Sequence, residues 1–480
     1  MRLDLPTLLL PRNATSGSPS VGNWPGSLTL LTNSAFKCTT TGRAFSGERA
    51  WLRPANRVPR FTTCEYGRLE HTPATTAAAT PPAPAHDVSP VQISRKGTDR
   101  LSSGHPWIFR SDVVSTGDAT AGELVHVLDP RGRFLGQAHY STSSQIALRM
   151  LSRTPEKVDL GARIAAAERF RRKVASDFFE GSPAYRLVHA EADFLPALIV
   201  DRYADSFVIQ ALDQGMDRAT PEIVAALQSQ FSPRAIVARN DASVRTLEQL
   251  PREIKVLKGN AEDVEAAVAI TINGLRMEAD LVKGQKTGVF LDQRENYQAA
   301  ARYASGRALD CFTCTGGFAL HLARTCESVE AVDSSAVALA TASRNAAAND
   351  LTNVEFREAD VFELLSSYSS SSGGRRRYDT IVLDPPAFAK SRGQIDAALR
   401  GYKDINLRAL KLLGPGGILV TCSCSHHVSE AMLLEIVAEA SLNSGRTLRV
   451  LERRTQAKDH PILLTVPETL YLKCIILQIA

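Results

Sequence analysis

The sequence predicts an α/β protein whose C-terminal part is a doubly wound, mostly parallel sheet, preceded by a small β-barrel and an α+β middle segment. From about Leu281 onward, short β-branched strands alternate with helical stretches, as in parallel sheets that carry helices on both faces. Between Val91 and Leu151, β-branched segments alternate with turns instead, which indicates a barrel. The 480 residues allow about two to four domains. No run of 18 apolar residues is present, so no membrane-spanning helix is predicted.

The N-terminal 88 residues lack the pattern of a packed domain. Ten of the 24 prolines lie here, and Ala74–His86 has the composition of an extended Pro/Ala-rich linker. We interpret residues 1–88 as a disordered extension or as sequence upstream of the true start, and an Arg-, Ser- and Thr-rich organelle transit peptide is the alternative. Residues 1–86 hold nine Lys/Arg and four Asp/Glu, whereas the rest of the chain holds 47 of each. Bulk charge of the folded part therefore does not predict a nucleic-acid partner.

The remaining chain is predicted to form three domains, which cover residues 89–153, 154–278 and 279–480. In the first, a turn at Asp129–Gly132 joins two barrel strands. In the second, an amphipathic helix over 159–180 precedes a mixed set of strands and helices, with a last helix at Val244–Leu250. In the third, helices are expected at Gly317–Thr325 and Ser335–Asn349. Its strands are expected at Ala308–Asp310, Val329–Asp333, Val354–Arg357, Thr380–Leu383 and Ile418–Thr421.

The first group of residues with a chemical role follows the first of these strands. Asp310 ends the strand, and Gly316 and Gly317 form a turn that opens a helix, so a ligand can approach the backbone there. Asp333 ends the second strand, where a carboxylate suits two ribose hydroxyls, and Asp360 follows the third, where it could meet an adenine edge. A Gly-rich turn alone is more often an ordinary loop. The order and spacing of the three acids favour an adenosine ligand without phosphates, which points to S-adenosylmethionine rather than NAD.

A second group, Asp384-Pro385-Pro386-Ala387-Phe388, directly follows the strand Thr380–Leu383. The prolines fix the backbone, Phe388 offers a stacking face for a flat base, and Asp384 is placed to bond a ring nitrogen or an exocyclic amine. The alternative is a plain Pro-rich turn after a strand. Next to the first group, the ligand-binding interpretation is favoured, because both lie at the carboxyl edge of the sheet.

A third group, Thr421–Ser425, contains two cysteines at the same edge. Cys422 and Cys424 are two residues apart, so both are expected to face the site, and a thiolate there is a candidate nucleophile. His426 and His427 follow and could move a proton, although loop histidines are more often bystanders. Zinc held by these cysteines together with Cys311 and Cys314 is the disfavoured alternative, because structural zinc sites prefer tight Cys knuckles in loops. Eight cysteines in the whole chain favour a reducing, cytoplasmic location.

Taken together, these segments resemble the ribosomal RNA large subunit methyltransferase I family, and the resemblance covers about residues 90–480. The C-terminal matches are Phe290–Arg294, Cys311–Phe318, Leu383–Phe388, Gly401–Asn406, Thr421–Ser425, Asp459–Pro461 and Pro467–Lys473. The upstream matches are Gly104–Phe109, which resembles the start of an RNA-binding PUA barrel, and Tyr185–Leu187 and Leu198–Arg202, which resemble the middle domain.

The resemblance implies a Rossmann-like class I methyltransferase that uses S-adenosylmethionine to methylate carbon 5 of a cytidine in large-subunit ribosomal RNA. Cys424 occupies the position of the family's nucleophile, and Asp384 would bond the ring edge of the base. Pro386 and Phe388 are expected to bind the substrate. The residues expected to bind the cofactor are Asp310, Thr315, Gly316, Gly317, Phe318, Asp333, Asp360, Asp384 and Pro385.

Two departures from the family pattern and several alternatives accompany this prediction. Cys422 and Cys314 stand where the family usually has apolar or aromatic residues, so Cys422 is either a second reactive thiol or has no role. Methylation of an RNA nitrogen on the same fold is one alternative function, and a non-catalytic RNA-binding assembly factor is another. Ribosomal RNA is the expected partner, no membrane or metal is expected, and a homodimer is left open.

Overall fold

The computed structural model describes residues 88–260, 264, 267–284, 289–370, 377–389 and 391–480. The expectations for residues 1–87 lie outside the described residues. Within these described ranges, three sheets of five or more strands and one separate hairpin follow one another. Among the described residues, no helix is long and apolar enough to cross a membrane.

The N-terminal sheet has six strands in the order β2-β6-β5-β4-β1-β3, and only β1 and β4 run parallel. The predicted turn at Asp129–Gly132 is confirmed, because Asp129 Oδ1 accepts hydrogen bonds from the backbone N–H groups of Arg131 and Arg133. One helix, α1 Arg95–Ser102, begins at Ser94, whose hydroxyl accepts from Gly97 N. The strands are β1 Pro90–Ile93, β2 Trp107–Phe109, β3 Val113–Ser115, β4 Leu124–Leu128, β5 Phe134–Tyr140 and β6 Ile146–Ser152.

The middle sheet has the order β11-β10-β9-β8-β7, in which only β9 and β10 run parallel. The helices α3 and α4 connect that parallel pair, as a parallel crossover requires. Beside this sheet, β12 and β13 form a separate antiparallel hairpin. The helices are α2 Leu160–Val174, α3 Gln214–Arg218 and α4 Thr220–Phe231; the strands are β7 Ala184–His189, β8 Leu198–Tyr203, β9 Ser206–Ala211, β10 Ala235–Asn240, β11 Glu253–Lys258, β12 Val268–Ile272 and β13 Leu275–Ala279.

Two predicted helices of this region are shorter than expected. The helix expected over 159–180 ends at Val174, because Ala175 leaves helical geometry with φ −141° and ψ 48°, and a 3₁₀ turn follows at Ser176–Phe179. The helix expected at Val244–Leu250 is a 3₁₀ turn at Ser243–Glu248. There the buried Arg245 guanidinium donates to the carbonyl oxygen of Pro251, so the chain turns back before an α-helix can extend.

The C-terminal sheet has seven strands in the order β16-β15-β14-β17-β18-β20-β19. The first five run parallel and β20 is antiparallel to both its neighbours, so the predicted mostly parallel sheet is confirmed. The strands are β14 Arg307–Cys311, β15 Ser328–Asp333, β16 Val354–Glu358, β17 Tyr378–Leu383, β18 Leu413–Ser423, β19 Leu448–Arg454 and β20 Lys473–Ile479. The helices are α5 Arg294–Tyr303, α6 Gly317–Leu322, α7 Ala336–Ala348, α8 Val361–Ser369, α9 Ile395–Leu412 and α10 Glu430–Ser444.

Helices cover both faces of this sheet, as expected for a doubly wound fold. The helices α8, α9 and α10 share one apolar core with one face, and α5 and α6 share another core with the opposite face. The helix α6 is shorter than the predicted Gly317–Thr325, because the backbone N–H groups of Thr325 and Cys326 both turn back to the carbonyl oxygen of Leu322.

Buried arginines join the three sheets. Arg149 on β6 lies 3.3 Å from Asp213, 3.6 Å from Glu191 and 3.7 Å from Glu248, all of which belong to the middle region. From the middle region, Arg171 donates to the carbonyl oxygen of Asp459 at 2.8 Å, in the C-terminal part. Removing one partner of a buried ion pair leaves the other charge buried without a partner, which costs free energy. These contacts therefore fix how the sheets meet.

Candidate active site at the carboxyl edge of the parallel sheet

The predicted site residues follow parallel strands that end at one edge. The strands β14, β15 and β17 end at Cys311, Asp333 and Leu383, and β18 ends at Ser423. Cys311 pairs with Leu383, and Leu383 with Thr421, so the loops after these strands leave the sheet side by side. The carboxyl edge of an open parallel sheet is where such folds bind ligands.

The loop between β14 and α6 makes a sharp turn. Phe312 and Cys314 have φ of 66° and 51°, in the left-handed region that non-glycine residues rarely adopt. Gly316 has φ 90°, and a Cβ at Gly317 would lie 2.5 Å from the Tyr297 hydroxyl oxygen, so only glycine fits there. The loop therefore brings its backbone close to the space beyond the strand end.

The carboxylates of Asp310 and Asp333 hold this loop in place. Asp310 Oδ2 accepts from Thr313 Oγ1 at 2.6 Å and from Ala319 N at 2.9 Å, whereas its buried Oδ1 has no hydrogen-bond partner. Asp333 Oδ2 accepts from Cys314 N at 2.9 Å. Burial raises the pKa of Asp310 to about 7, and the negative charges of Asp384 and Asp333 act in the same direction.

This acidic surrounding fits a cationic ligand. The carboxyl groups of Asp310, Asp333 and Asp384 are close enough to disfavour ionisation of Asp310. S-adenosylmethionine carries a sulfonium and an ammonium, whose positive charges would offset that repulsion. The unpartnered Oδ1 of Asp310 is an available acceptor for a donor of such a ligand. The residues present therefore fit the cofactor that the sequence predicts.

The other predicted cofactor residues occupy different positions. Thr315 is half-buried, and its carbonyl oxygen accepts from Asn345 Nδ2 at 3.1 Å. Phe318 is buried, and its ring packs edge-on against Tyr297 with centroids 4.8 Å apart. Asp360 is exposed and caps α8, where its carboxylate accepts from Glu363 N at 3.1 Å. A helix-capping role therefore accounts for the contact of Asp360 that the structure shows.

The Asp384–Phe388 segment lies between the first loop and α9. The backbone N–H of Asp384 donates to the carbonyl oxygen of Cys311 at 3.4 Å, which joins the segment to the end of β14. The half-buried Phe388 ring lies between Phe362 and Tyr402, with centroid separations of 5.7 and 4.7 Å. Pro386 is half-buried too, whereas Pro385 is buried.

Cys424 directly follows β18 and faces this segment. Its Sγ lies 4.0 Å from the carbonyl oxygen of Pro385. The next residue, Ser425, has its hydroxyl oxygen 3.1 Å from that of Tyr402 and accepts from Ala389 N at 3.3 Å. The half-buried thiol of Cys424 is thus brought next to the loop that carries Asp384.

Cys422 does not face the site, contrary to the expectation for the two cysteines. It is fully buried, pairs across the sheet with Cys474, and lies in the apolar core shared with α5 and α6. The strand alternation that motivated the expectation ends at Ser423, so it does not extend to Cys424. Cys311 belongs to the core on the opposite face, so Cys311 and Cys422 cannot ligate one zinc ion.

Two residues near Cys424 escaped the sequence prediction. Tyr402 lies on α9, and Lys473 begins β20 and donates from Nζ to the carbonyl oxygen of Ser425 at 2.7 Å. Both fall in segments that match the family, but their placement depends on distant parts of the chain. A lysine at the start of a mostly apolar strand was the available signal for Lys473.

A cleft with a cavity volume of about 90 Å³ lies close to this edge, where the three sheets meet. It is bordered by Arg149 of the N-terminal sheet, by His189 and Glu191 of the middle region, and by His426 and Tyr471 of the C-terminal part. Burial lowers the pKa of His426, so its ring is neutral at pH 7 and above. The cleft links the N-terminal sheet to the loop that carries Cys424.

Comparison with known proteins decides the family. Two relatives named ribosomal RNA large subunit methyltransferase I match most of the chain. The protein from Shewanella denitrificans is 40% identical over 396 residues, which are 80% of this chain and 98% of the relative. The protein from Klebsiella pneumoniae is 39% identical over 394 residues, which are 80% and 97%.

The chain belongs to the ribosomal RNA large subunit methyltransferase I family.

Domain profiles agree with this family. A PUA-like domain matches residues 91–153, which contain nearly all of the N-terminal sheet, and an S-adenosylmethionine-dependent methyltransferase domain matches residues 253–470. As a member of the ribosomal RNA large subunit methyltransferase I family, the chain is an S-adenosylmethionine-dependent methyltransferase.

Solved structures support the fold of this family member. A Streptococcus mutans protein described as an S-adenosylmethionine-dependent methyltransferase superposes with a TM-score of 0.67 at 19% identity. A methyltransferase complexed with SAH (S-adenosylhomocysteine) gives 0.67 at 18% identity. Each comparison covers 82% of this chain and 100% of the other.

Proposed function

We propose that the protein methylates carbon 5 of a cytidine in large-subunit ribosomal RNA through a covalent adduct on Cys424. The observation that carries the proposal is the position of the Cys424 thiol, 4.0 Å from the carbonyl oxygen of Pro385 in the Asp384–Phe388 loop. In the proposal, the Cys424 sulfur and the Asp384 carboxyl group act on one flat substrate. The names of the curated relatives supply the RNA class, large-subunit ribosomal RNA.

The proposed chemistry answers a difficulty of cytosine, whose carbon 5 is a poor nucleophile. The Cys424 thiolate adds to carbon 6, and the electron pair displaced from the 5,6 double bond makes carbon 5 enamine-like. When bound, S-adenosylmethionine would supply an electrophilic methyl group to that carbon and would leave as S-adenosylhomocysteine. A base or a water molecule then removes the carbon-5 proton, the carbon–sulfur bond breaks, and the thiolate is released.

The remaining predicted residues receive supporting roles. Asp384 bonds the edge of the ring and stabilises the adduct, and Pro386 and Phe388 border the base. The loop Thr315–Phe318, together with Asp310, Asp333 and Pro385, forms the cofactor side of the site. Cofactor binding by Asp360 stays a prediction, because its carboxylate accepts a hydrogen bond at the start of a helix.

The position of the PUA-like domain is consistent with an RNA substrate. A base must leave its stack to reach the pocket, which single-stranded or looped RNA makes easier. The cleft between the N-terminal sheet and His426 places this domain next to the loop that carries Cys424. Three other points stay predictions: the domain limits 89–153, 154–278 and 279–480, the cytoplasmic location, and a homodimer.

One experiment tests the proposal. Large-subunit ribosomal RNA without native modifications is incubated with the protein and labelled S-adenosylmethionine, and the RNA is digested to nucleosides. The expected label is in 5-methylcytidine. A labelled N-methyl nucleoside would show that the enzyme methylates a nitrogen instead. The Asp384-Pro385-Pro386 motif, which is shared with nitrogen methyltransferases, is compatible with that reaction. Absence of label with cofactor binding intact would mean that the RNA substrate is wrong, whereas absence of S-adenosylmethionine binding would favour the non-catalytic RNA-binding alternative.

A further inference from the structure

Two contacts with the neighbours of Cys424 place Lys473 beside that cysteine. Across the antiparallel pair of β18 and β20, Lys473 is the register partner of Ser423, the residue before the cysteine. Its Nζ donates at 2.7 Å to the carbonyl oxygen of Ser425, the residue after it. The lysine side chain thus spans the turn that holds the Cys424 thiol.

The ammonium of Lys473 is in an unusual position for a charge. The residue is only 5% exposed, and its two hydrogen-bond acceptors are the neutral carbonyl oxygens of Ser425 and Tyr471, at 2.7 and 2.9 Å. An ammonium has three donors, so these carbonyls account for two. Burying a charge without a counter-charge is expensive, so a nearby anion is expected.

Of the two negatively charged groups that act on Lys473, Cys424 has the stronger effect. Lys473 interacts electrostatically with Cys424 and with Glu430, and both favour its charged form. Glu430 already forms an ion pair with Arg453 through Oε1, with Arg453 Nε at 2.6 Å. Burial lowers the pKa of Lys473 to about 8, so the side chain is still mostly protonated at pH 7.

We propose that Lys473 is a positioning residue that holds Cys424 as a thiolate, ready to attack the substrate. The inference rests on the proposed role of Cys424 as nucleophile. The thiol proton passes to solvent, and the third N–H of Lys473 is available to the sulfur anion. A thiolate is the nucleophilic form of cysteine, so this pairing increases the reactive fraction at neutral pH.

Other titratable groups border the pair and shape its response to pH. Asp384 and Cys424 both raise the pKa of Tyr402, so the Asp384 carboxylate lies close enough to oppose a negative charge on the sulfur, and the neutral His426 supplies no positive charge to offset it. The groups around Cys424 and Lys473 are Asp384 after β17, Tyr402 on α9, His426 and His427 in the loop after β18, Glu430 on α10, and Glu468 before β20.

The test measures the thiol directly. The full-length protein is alkylated with iodoacetamide from pH 5 to 10, and the rate at Cys424 is followed by mass spectrometry of its peptide. Wild type is expected to show a midpoint below the ordinary thiol value of about 8.5. Lys473→Gln removes the charge, and we expect the midpoint to rise by about one pH unit and the rate at pH 7 to fall about tenfold. Lys473→Arg is expected to keep the wild-type midpoint.

Controls separate charge from structure. The half-buried Cys314 in the same protein reports general accessibility, and its rate should be unchanged by either substitution. Lys255→Gln, in the exposed strand β11, should leave the Cys424 profile unchanged.

Two results would overturn the inference. One is an unchanged Cys424 midpoint in folded Lys473→Gln, which would make Lys473 a structural anchor of the Ser425 carbonyl. The other, which applies even if that variant fails to fold, is a wild-type midpoint at or above about 8.5. Methylation by Cys424→Ala would refute the proposed function instead, and the alkylation profile would stand independently of it.

Discussion

The tight contact between Gly317 and Tyr297 gives a quantitative prediction for Gly317→Ala. The added methyl carbon would lie 2.5 Å from both Tyr297 Cζ and its hydroxyl oxygen, whereas ordinary contacts begin at 3.4 Å. The ring or the loop must therefore move by roughly 0.9 Å. The ring is buried, bonds the carbonyl oxygen of Phe290 at 3.2 Å and packs against Phe318 and His321, so it has little freedom to move.

The expected cost follows from overpacking in a filled core. Such insertions destabilise by about 1–3 kcal/mol, which for a domain of 150–250 residues lowers the melting temperature by about 2–12 °C. Displacement of the loop should also weaken S-adenosylmethionine binding by about tenfold, or about 1.4 kcal/mol. Differential scanning fluorimetry and isothermal titration calorimetry measure the two effects.

A matched glycine provides the control. A methyl carbon added at Gly414 would have no neighbouring atom within 4 Å, and the residue has no positive φ, so Gly414→Ala should leave cofactor affinity unchanged. Its stability should be equal or higher by about 0.4–1 kcal/mol, because alanine restricts the unfolded chain. If Gly317→Ala matched Gly414→Ala in both measurements, the close approach at Tyr297 would not constrain the cofactor loop.

Three further predictions concern charge and packing. The pKa of Asp310 is raised from 3.8 to about 7 in the folded protein. Its contribution to the free energy of unfolding is therefore full below pH 4 and is lost as pH rises through 7. Urea titrations of Asp310→Asn at several pH values should lack that decline. In wild type, a cationic cofactor favours the carboxylate, so calorimetric affinity for S-adenosylmethionine should increase between pH 6 and 8, and it should stay flat in Asp310→Asn. Arg149→Met leaves the buried carboxylates of Glu191, Asp213 and Glu248 without their ion-pair partner and should lower the free energy of unfolding by about 3–5 kcal/mol. An unchanged melting curve would show that the contact does not join the sheets.

The parallel sheet was predictable because its strands are apolar and the helices between them are periodic. The order of loops at the carboxyl edge followed from that pattern, and Asp310, Asp384 and Cys424 accordingly lie at strand ends of one sheet. Local sequence could also place the Asp129 turn, since its hydrogen bonds span only a few residues. These predictions depend on short-range periodicity and on turn chemistry.

Other features depended on distant contacts and could not be predicted. Asp310 directs one carboxylate oxygen into its own loop, and Asp360 caps a helix, because nearby backbone N–H groups compete for these side chains. Cys422 faces the core, where it pairs across the sheet with Cys474. Cys474 lies 52 positions further along the chain, so the sequence around Cys422 does not show this pairing. The same pairing of β18 with β20 brings Lys473 next to Cys424, and the lysine at the start of the strand does not by itself indicate that pairing.

The central claim, a covalent bond between Cys424 and cytosine, is tested most directly by trapping. Large-subunit ribosomal RNA containing 5-fluorocytidine is incubated with the protein and S-adenosylmethionine, because fluorine at carbon 5 prevents the proton loss that releases the enzyme. We expect an RNA–protein adduct that survives denaturation and maps to Cys424, that is absent in Cys424→Ser and that persists in Cys422→Ser. Formation of 5-methylcytidine in unsubstituted RNA by Cys424→Ser, or an adduct at another residue, would contradict the account.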